Sequence, residues 1–124
     1  MKKEKECIFC KIRDKEIPAE IVFEDDKAIA FPDAYPIAPV HVLIIPKKHI
    51  ESVNDLTENE ENEKLMGRLI MVARKIAQEK GIDKNGYKLL IRTGKHGGQE
   101  IPHIHLHLLG GAKLREGIEP VDMG

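Results

Sequence analysis

His103, His105 and His107 put three imidazoles at alternate positions, separated by Ile104 and Leu106 and followed by Leu108 and Leu109. Successive side chains of a β-strand point to opposite faces, so this spacing predicts a strand with three histidines on one face and an apolar set on the other. At a rise of about 3.3 Å per residue, the rings would stand about 6.5 to 7 Å apart. Neutral imidazole is a good nucleophile near pH 7 and its conjugate acid a good proton donor, so two such rings can divide attack and leaving-group protonation. The run Gly94-Lys95-His96-Gly97-Gly98-Gln99 just upstream has the glycines that let backbone N–H groups turn inward as an anion nest, for which a phosphate is the natural guest. Histidines at such spacing also suit a metal, but the glycine-rich loop and the absence of a carboxylate ligand on the strand favour nucleophilic chemistry.

Two cysteines, Cys7 and Cys10, form a CxxC. The opening Met1-Lys2-Lys3-Glu4-Lys5-Glu6 leads into no signal-peptide core, so a structural disulfide is a poor reading. A metal pair, a redox pair and a reduced buried pair stay open.

The elements that would position these groups can be read from hydrophobic period and turn residues. Residues 21–24 and 27–31 flank Asp25-Asp26 as two short strands of a hairpin, and 41–45 is a strongly β-prone run, near-continuously apolar, that suggests a central strand. Thr57 with Glu60 has capping-box spacing. Leu65, Leu69, Val72 and Ile76, flanked by Met66, Ile70, Ala73 and Ala77, then make an apolar stripe at helical period, and Gly81 caps a helix over 57–80. A strand at 87–92 precedes the loop and the histidine strand. The order predicts an α+β domain, an antiparallel sheet of about five strands covered on one face by one long helix; a short N-terminal helix is also expected.

The 124 residues suit a single domain, with 1–6 a flexible N-terminus and 112–124 a tail. A net charge of −1 argues against a nucleic-acid polymer as partner, and no apolar run approaches the roughly 20 residues that span a bilayer. A cytoplasmic protein without membrane association is expected.

The chain resembles the histidine-triad (HIT) superfamily, signature His-φ-His-φ-His-φ-φ, and specifically its Hint-like purine nucleotide-binding branch, the phosphoramidases. The likeness runs from Cys7 to Gly111 and is carried by Cys7-Ile8-Phe9-Cys10-Lys11-Ile12, Glu16-Ile17-Pro18-Ala19, Phe31-Pro32-Asp33, Ala38-Pro39-Val40-His41, Ile45-Pro46-Lys47-Lys48-His49-Ile50, and Gly97-Gly98-Gln99 through Gly110-Gly111. It implies a homodimeric hydrolase or transferase that cleaves a bond at the α-phosphorus of a nucleoside 5′-monophosphate derivative, an AMP or GMP phosphoramidate or acyl-nucleotide, with no cofactor needed for the chemistry. By that resemblance His105 is the nucleophile and forms a nucleotidyl-histidine, while His107 contacts the phosphate and assists proton transfer. A backbone carbonyl accepting from His105 Nδ1–H would leave Nε2 free. Gln99 and the backbone at Gly98 and Glu100 would hold phosphate oxygens, Asp33 the ribose hydroxyls, and Ile8, Phe9, Ile12, Phe31 and Leu43 the base.

Arg92 stands where the branch commonly has asparagine, and Glu100 where some members have serine. The arginine would pair with a phosphate or Glu100, or point to solvent, and inside the site it would favour a more anionic substrate. The tail lacks the tryptophan and short proline-rich ending of some relatives. Triad proteins that begin with this CxxC resemble the galactose-1-phosphate uridylyltransferase branch, which implies a structural zinc on Cys7, Cys10, His49 and His103, a donor set that suits tetrahedral zinc. Two other functions compete with the phosphoramidase reading: dinucleoside polyphosphate hydrolysis, as in the fragile-histidine-triad branch, and a non-catalytic nucleotide-binding scaffold.

Overall fold

The computed structural model describes residues 2–121, with side chains from residue 4 onward. Two short helices, α1 (Lys2–Glu6) and α2 (Ile8–Arg13), open the chain. Lys2–Glu6 of the N-terminal segment is helical, and Arg13 Nη1 reaches Glu4 at 3.5 Å across the α1–α2 joint. Strands β1 (Phe23–Glu24) and β2 (Ala28–Pro32) form the expected hairpin. Its turn is closed by Asp25, whose Oδ1 accepts from the N–H groups of Lys27 and Ala28 at 2.8 and 2.7 Å.

Strand β3 (Val40–Pro46), a single 3-10 turn (Val53–Asp55), helix α3 (Glu60–Glu79), β4 (Tyr87–Ile91) and β5 (Leu106–Gly110) complete the fold. The sheet is antiparallel throughout, in the order β1-β2-β3-β5-β4. β3 is thus central, as its apolarity predicted.

Its alternation explains how the sheet serves two masters. Val42 and Ile44, with Ala28, Ala30, Leu106 and Leu108, face α3, whose Leu69, Val72, Ala73, Ile76 and Ala77 are all buried against them. Leu43 and Ile45, with Ile29 and Phe31, face the other way and pack with Cys7, Phe9, Cys10 and Ile12 of the N-terminal segment. The sheet is covered on both faces rather than one, and the second face is the one that carries His107, because Leu43 pairs directly with His107.

Three details differ from the sequence reading. α3 starts at Glu60, capped by Asn59, whose Oδ1 accepts from Asn62 N–H at 2.8 Å, while the Thr57 carbonyl accepts from the Asn62 side chain. Ile70 is half exposed beside Met71, on the outer face of α3. β5 begins at Leu106, so only His107 of the three lies in the paired strand. His103 and His105 precede it in an extended lead-in, set off by a turn in which His103 N–H donates to Ile101 O, and anchored where Ile104 N–H donates to Ile50 O. Among the described residues no helix is long and apolar enough to cross a membrane.

Candidate active site

His105 and His107 lie side by side, ring centroids 4.9 Å apart, closer than the ideal strand spacing, with His105 just outside the paired strand. Both are largely buried. His105 Nδ1 is 2.7 Å from the backbone carbonyl of His103. A carbonyl can only accept, so Nδ1 carries the hydrogen and Nε2 presents its lone pair. Among the described residues Nε2 has no hydrogen-bond partner. Burial lowers the pKa of His105, and the Arg92 charge lowers it further, so the ring stays neutral and nucleophilic.

The state of His107 is set from β3. Ile37 N–H donates to His41 Nδ1 at 3.2 Å, which makes Nδ1 an acceptor and places the ring hydrogen on His41 Nε2. That nitrogen lies 2.9 Å from His107 Nδ1 and 3.4 Å from Asp33 Oδ2. His107 Nδ1 therefore accepts, and its own hydrogen sits on Nε2, facing the site. Burial first, then His105 and Arg92, push His107 down to about 4, and burial also lowers His41. Asp33, His41 and His107 converge closely enough to suggest a metal group, but both His41 nitrogens are already engaged, which favours a hydrogen-bonded chain. Sequence reasoning gave His41 no site role. Its signal was there: a polar ring opening an apolar strand, on the face shared with Leu43.

Asp33 sits just past β2, its N–H donating to His41 O, its Oδ1 accepting from Tyr35 N–H at 2.8 Å. Phe9, Ile12, Phe31 and Leu43 gather in one buried cluster on this face, and Phe9 stands edge-on to His105 at 5.1 Å. Ile8 does not join them; it is 45% exposed.

The glycine-rich loop is arranged differently from an open nest. Gly98 N–H donates to Lys95 O and Gln99 N–H to Gly94 O, both at 3.1 Å. The Gln99 side chain is also spent within the protein: Oε1 accepts from Gly94 N–H, and Nε2 donates to the carbonyls of Glu51 and Ile101. These groups close the loop rather than offering donors to an anion. Gly97 is held so near Thr93 that a Cβ would come within 2.5 Å of its carbonyl oxygen. Glu100 is exposed. Arg92, just beyond β4, runs past Gly98 and brings Nη1 to 3.4 Å from His107 Nε2, so it enters the site instead of pairing with Glu100.

Beneath the triad, the four residues of the implied metal set do meet. Cys7 Sγ and Cys10 Sγ lie 3.4 and 3.6 Å from His103 Nδ1, and His49 Nδ1 lies 3.2 Å from both Cys10 Sγ and His103 Nδ1. His103 Nε2 is 2.9 Å from Pro46 O, which requires a hydrogen there and leaves Nδ1 as a bare donor atom aimed into the cluster. His103 is fully buried and burial pushes it down to about 4, while burial and Cys7 push the Cys10 thiol up to about 12. Four electron-pair donors converging in a buried space form a cluster that could hold a metal ion. Two cavities among the described residues, about 520 Å³ beside Asp25 and Arg68 and about 640 Å³ beside Gly81 and Lys113, contain no triad residue.

Residues 6–117 match the family model described as scavenger mRNA decapping enzyme C-term binding. The purine nucleoside phosphoramidase of Escherichia coli (strain K12) is 52% identical over 109 residues, covering 88% of this chain and 90% of that protein. Among solved structures, a HIT family hydrolase from Legionella pneumophila Philadelphia 1 superposes with a TM-score of 0.85 at 47% identity, covering 91% of this chain and 99% of that one. A histidine triad protein from Clostridium difficile does so with a TM-score of 0.83 at 44% identity, covering 88% and 93%. With a five-stranded antiparallel α+β fold and the paired histidines behind it, the chain belongs to the HIT superfamily, in its Hint-like branch, and is a hydrolase of that family.

Proposed function

We propose that the protein hydrolyses purine nucleoside phosphoramidates through a nucleotidyl-histidine intermediate on His105. The observation that carries this is the bond from His105 Nδ1–H to His103 O, which fixes the tautomer whose Nε2 lone pair is free to attack. The name of the Escherichia coli relative supports the substrate class.

In the first step the Nε2 pair forms a bond to the α-phosphorus and the bond to the leaving nitrogen breaks, its electrons staying with nitrogen. That nitrogen leaves as a neutral amine by taking a proton from water, while the Nε2–H of neutral His107, held toward it by the bond from His41 Nε2–H to His107 Nδ1, donates a hydrogen bond to it. In the second step water attacks phosphorus, the phosphorus–His105 bond breaks, and the attacking water returns its proton to solvent. No proton is gained or lost over the cycle. Asp33, with Oδ1 oriented by Tyr35 N–H, would accept from the ribose hydroxyls, and Phe9, Ile12, Phe31 and Leu43 would flank the base with Ile8 at its rim. The Glu100 backbone N–H remains as a phosphate donor.

His105→Ala should lower turnover of adenosine 5′-phosphoramidate by at least about 10⁴-fold. AMP affinity, measured by calorimetry, should stay within a few-fold. Turnover retained in this variant would contradict the mechanism, and intact turnover by the unmodified protein argues against a scaffold role.

Cys7, Cys10, His49 and His103 would hold a structural zinc. With zinc–nitrogen near 2.0 Å and zinc–sulfur near 2.3 Å, the edges of a tetrahedron come to about 3.3 to 3.8 Å. The separations of 3.2 to 3.6 Å in the cluster fit that frame. Such a closed site adds no chemistry of its own; it ties the N-terminal segment to the lead-in of the triad. Two free thiols suit a cytoplasmic setting. A homodimer is supported by β4, an outer edge of the sheet, and by half-exposed Ile70 and Met71 on α3. Light scattering should give twice the 14.0 kDa of the chain, and a monomer at micromolar concentration would count against it.

A further inference from the structure

Arg92 and His107 bring two hydrogen-bond donors face to face. The His41 chain places the ring hydrogen of His107 on Nε2, and the guanidinium Nη1 of Arg92 lies 3.4 Å from that nitrogen. A guanidinium has no acceptor, so the two N–H groups cannot satisfy each other. Arg92 is only partly exposed, and among the described residues no carboxylate lies within ion-pair distance of it. The arrangement wants an electron-rich group between the two donors.

Loop groups that would otherwise take an anion nearby are committed elsewhere. Gly98 and Gln99 give their backbone N–H groups to loop carbonyls, and the Gln99 amide closes the loop from inside. Gly98 borders the arginine instead: a Cβ there would meet Arg92 Cδ at 3.5 Å, in ordinary contact, and what calls for glycine is its φ of +79°, which other residues rarely adopt. The loop backbone thus acts as a bed for the arginine stem, holding the guanidinium at the side where His107 meets the departing atom.

Resting on the hydrolase reading above, we propose that Arg92 is a specificity-determining residue that selects substrates whose leaving group itself carries an anion close to the scissile bond. Nε2–H of His107 serves the departing atom, and the planar fork of Arg92 grips the anion attached to it in bidentate fashion. Two sources share this chemistry: the carboxylate of an amino acid joined to phosphorus through its amine, and the next phosphate of a polyphosphate chain.

The test compares adenosine 5′-phosphoramidates of glycine and of glycinamide, which differ in the leaving group only by the carboxylate, together with a dinucleoside polyphosphate. The unmodified protein should prefer the glycine compound in kcat/KM, and Arg92→Gln should cut the glycine-to-glycinamide ratio by about tenfold or more. Arg92→Lys, which keeps the charge but not the fork, should fall between. The ratio is the readout because loss of the Arg92 charge alters the neighbouring histidines for every substrate alike. If the selective loss falls on the polyphosphate instead, the anion is a phosphate and the inference stands. An equal loss on all three substrates would overturn it, since Arg92 would then act on the transferred phosphoryl group. Uncleavable analogues with carbon in place of the bridging nitrogen read the same preference as affinity. Selective loss of binding in Arg92→Gln supports the inference even where nothing is turned over, equal affinity overturns it, and absence of turnover by the unmodified protein overturns only the hydrolase reading.

Discussion

At the scale of single residues, the three histidines of the alternating motif are unequal, and what separates them is the partner of each ring nitrogen. His105 is oriented by a carbonyl, His107 by another histidine, and His103 is turned into the cysteine cluster. His41 sets the state of His107, because the Ile37 N–H bond to its Nδ1 propagates through Nε2 to that ring. Replacing His41 with alanine should therefore lower kcat about 10² to 10⁴-fold, a range typical of lost proton-transfer assistance, with little change in AMP affinity. His41→Gln, whose amide can still donate toward His107 Nδ1, should recover part of the loss in steady-state assays. Equal inactivity of the two variants would show that His41 matters as packing and not as a donor. The neighbourhood of His105 and His107 was legible in the sequence because alternation places the two on one face, although the strand begins only at Leu106. The role of His41 was not, since it depends on a contact across 66 residues of chain that no local pattern encodes. Nor was the closed loop at Gly98 and Gln99, because glycines signal permitted dihedrals without saying where the N–H groups point.

At the scale of elements, β3 does the most to build the site. Its two apolar faces let α3 pack on one side and the N-terminal segment on the other, while its first turn of alternation delivers His41 beside β5. The apolar period of α3 was legible because Leu65, Leu69, Val72 and Ile76 recur at helical spacing, but its start was misplaced: Thr57 and Asn59 are both competent caps, and the tertiary fold decides between them. Asn59 Oδ1 is the one that bonds an N–H of the first turn. Asn59→Ala should destabilise the protein by about 1 kcal/mol and Thr57→Ala by much less, read as shifts in the urea midpoint. The reverse order would indicate that the capping box forms in solution.

At the scale of the whole molecule, the cysteine–histidine cluster and the candidate active site share a residue: the His103 side chain faces the cysteines and its carbonyl accepts from His105 Nδ1–H. Cys10→Ser should therefore lose zinc, read by metal analysis, and unfold more readily, with activity falling as the His103 backbone loosens. Full activity and stability in metal-free protein would separate the two sites. The meeting of Cys7 and Cys10 with His103 spans more than ninety residues, and only the resemblance to other triad proteins, not the spacing, could have joined them. The covalent intermediate on His105 is the most directly measurable feature of the proposed mechanism. Acid-quenched, single-turnover reaction with an adenosine phosphoramidate, followed by mass spectrometry of the peptides, should recover adenylate on His105 and none in His105→Ala. Rapid turnover with no adduct on any residue, or an adduct on His107 instead, would contradict it.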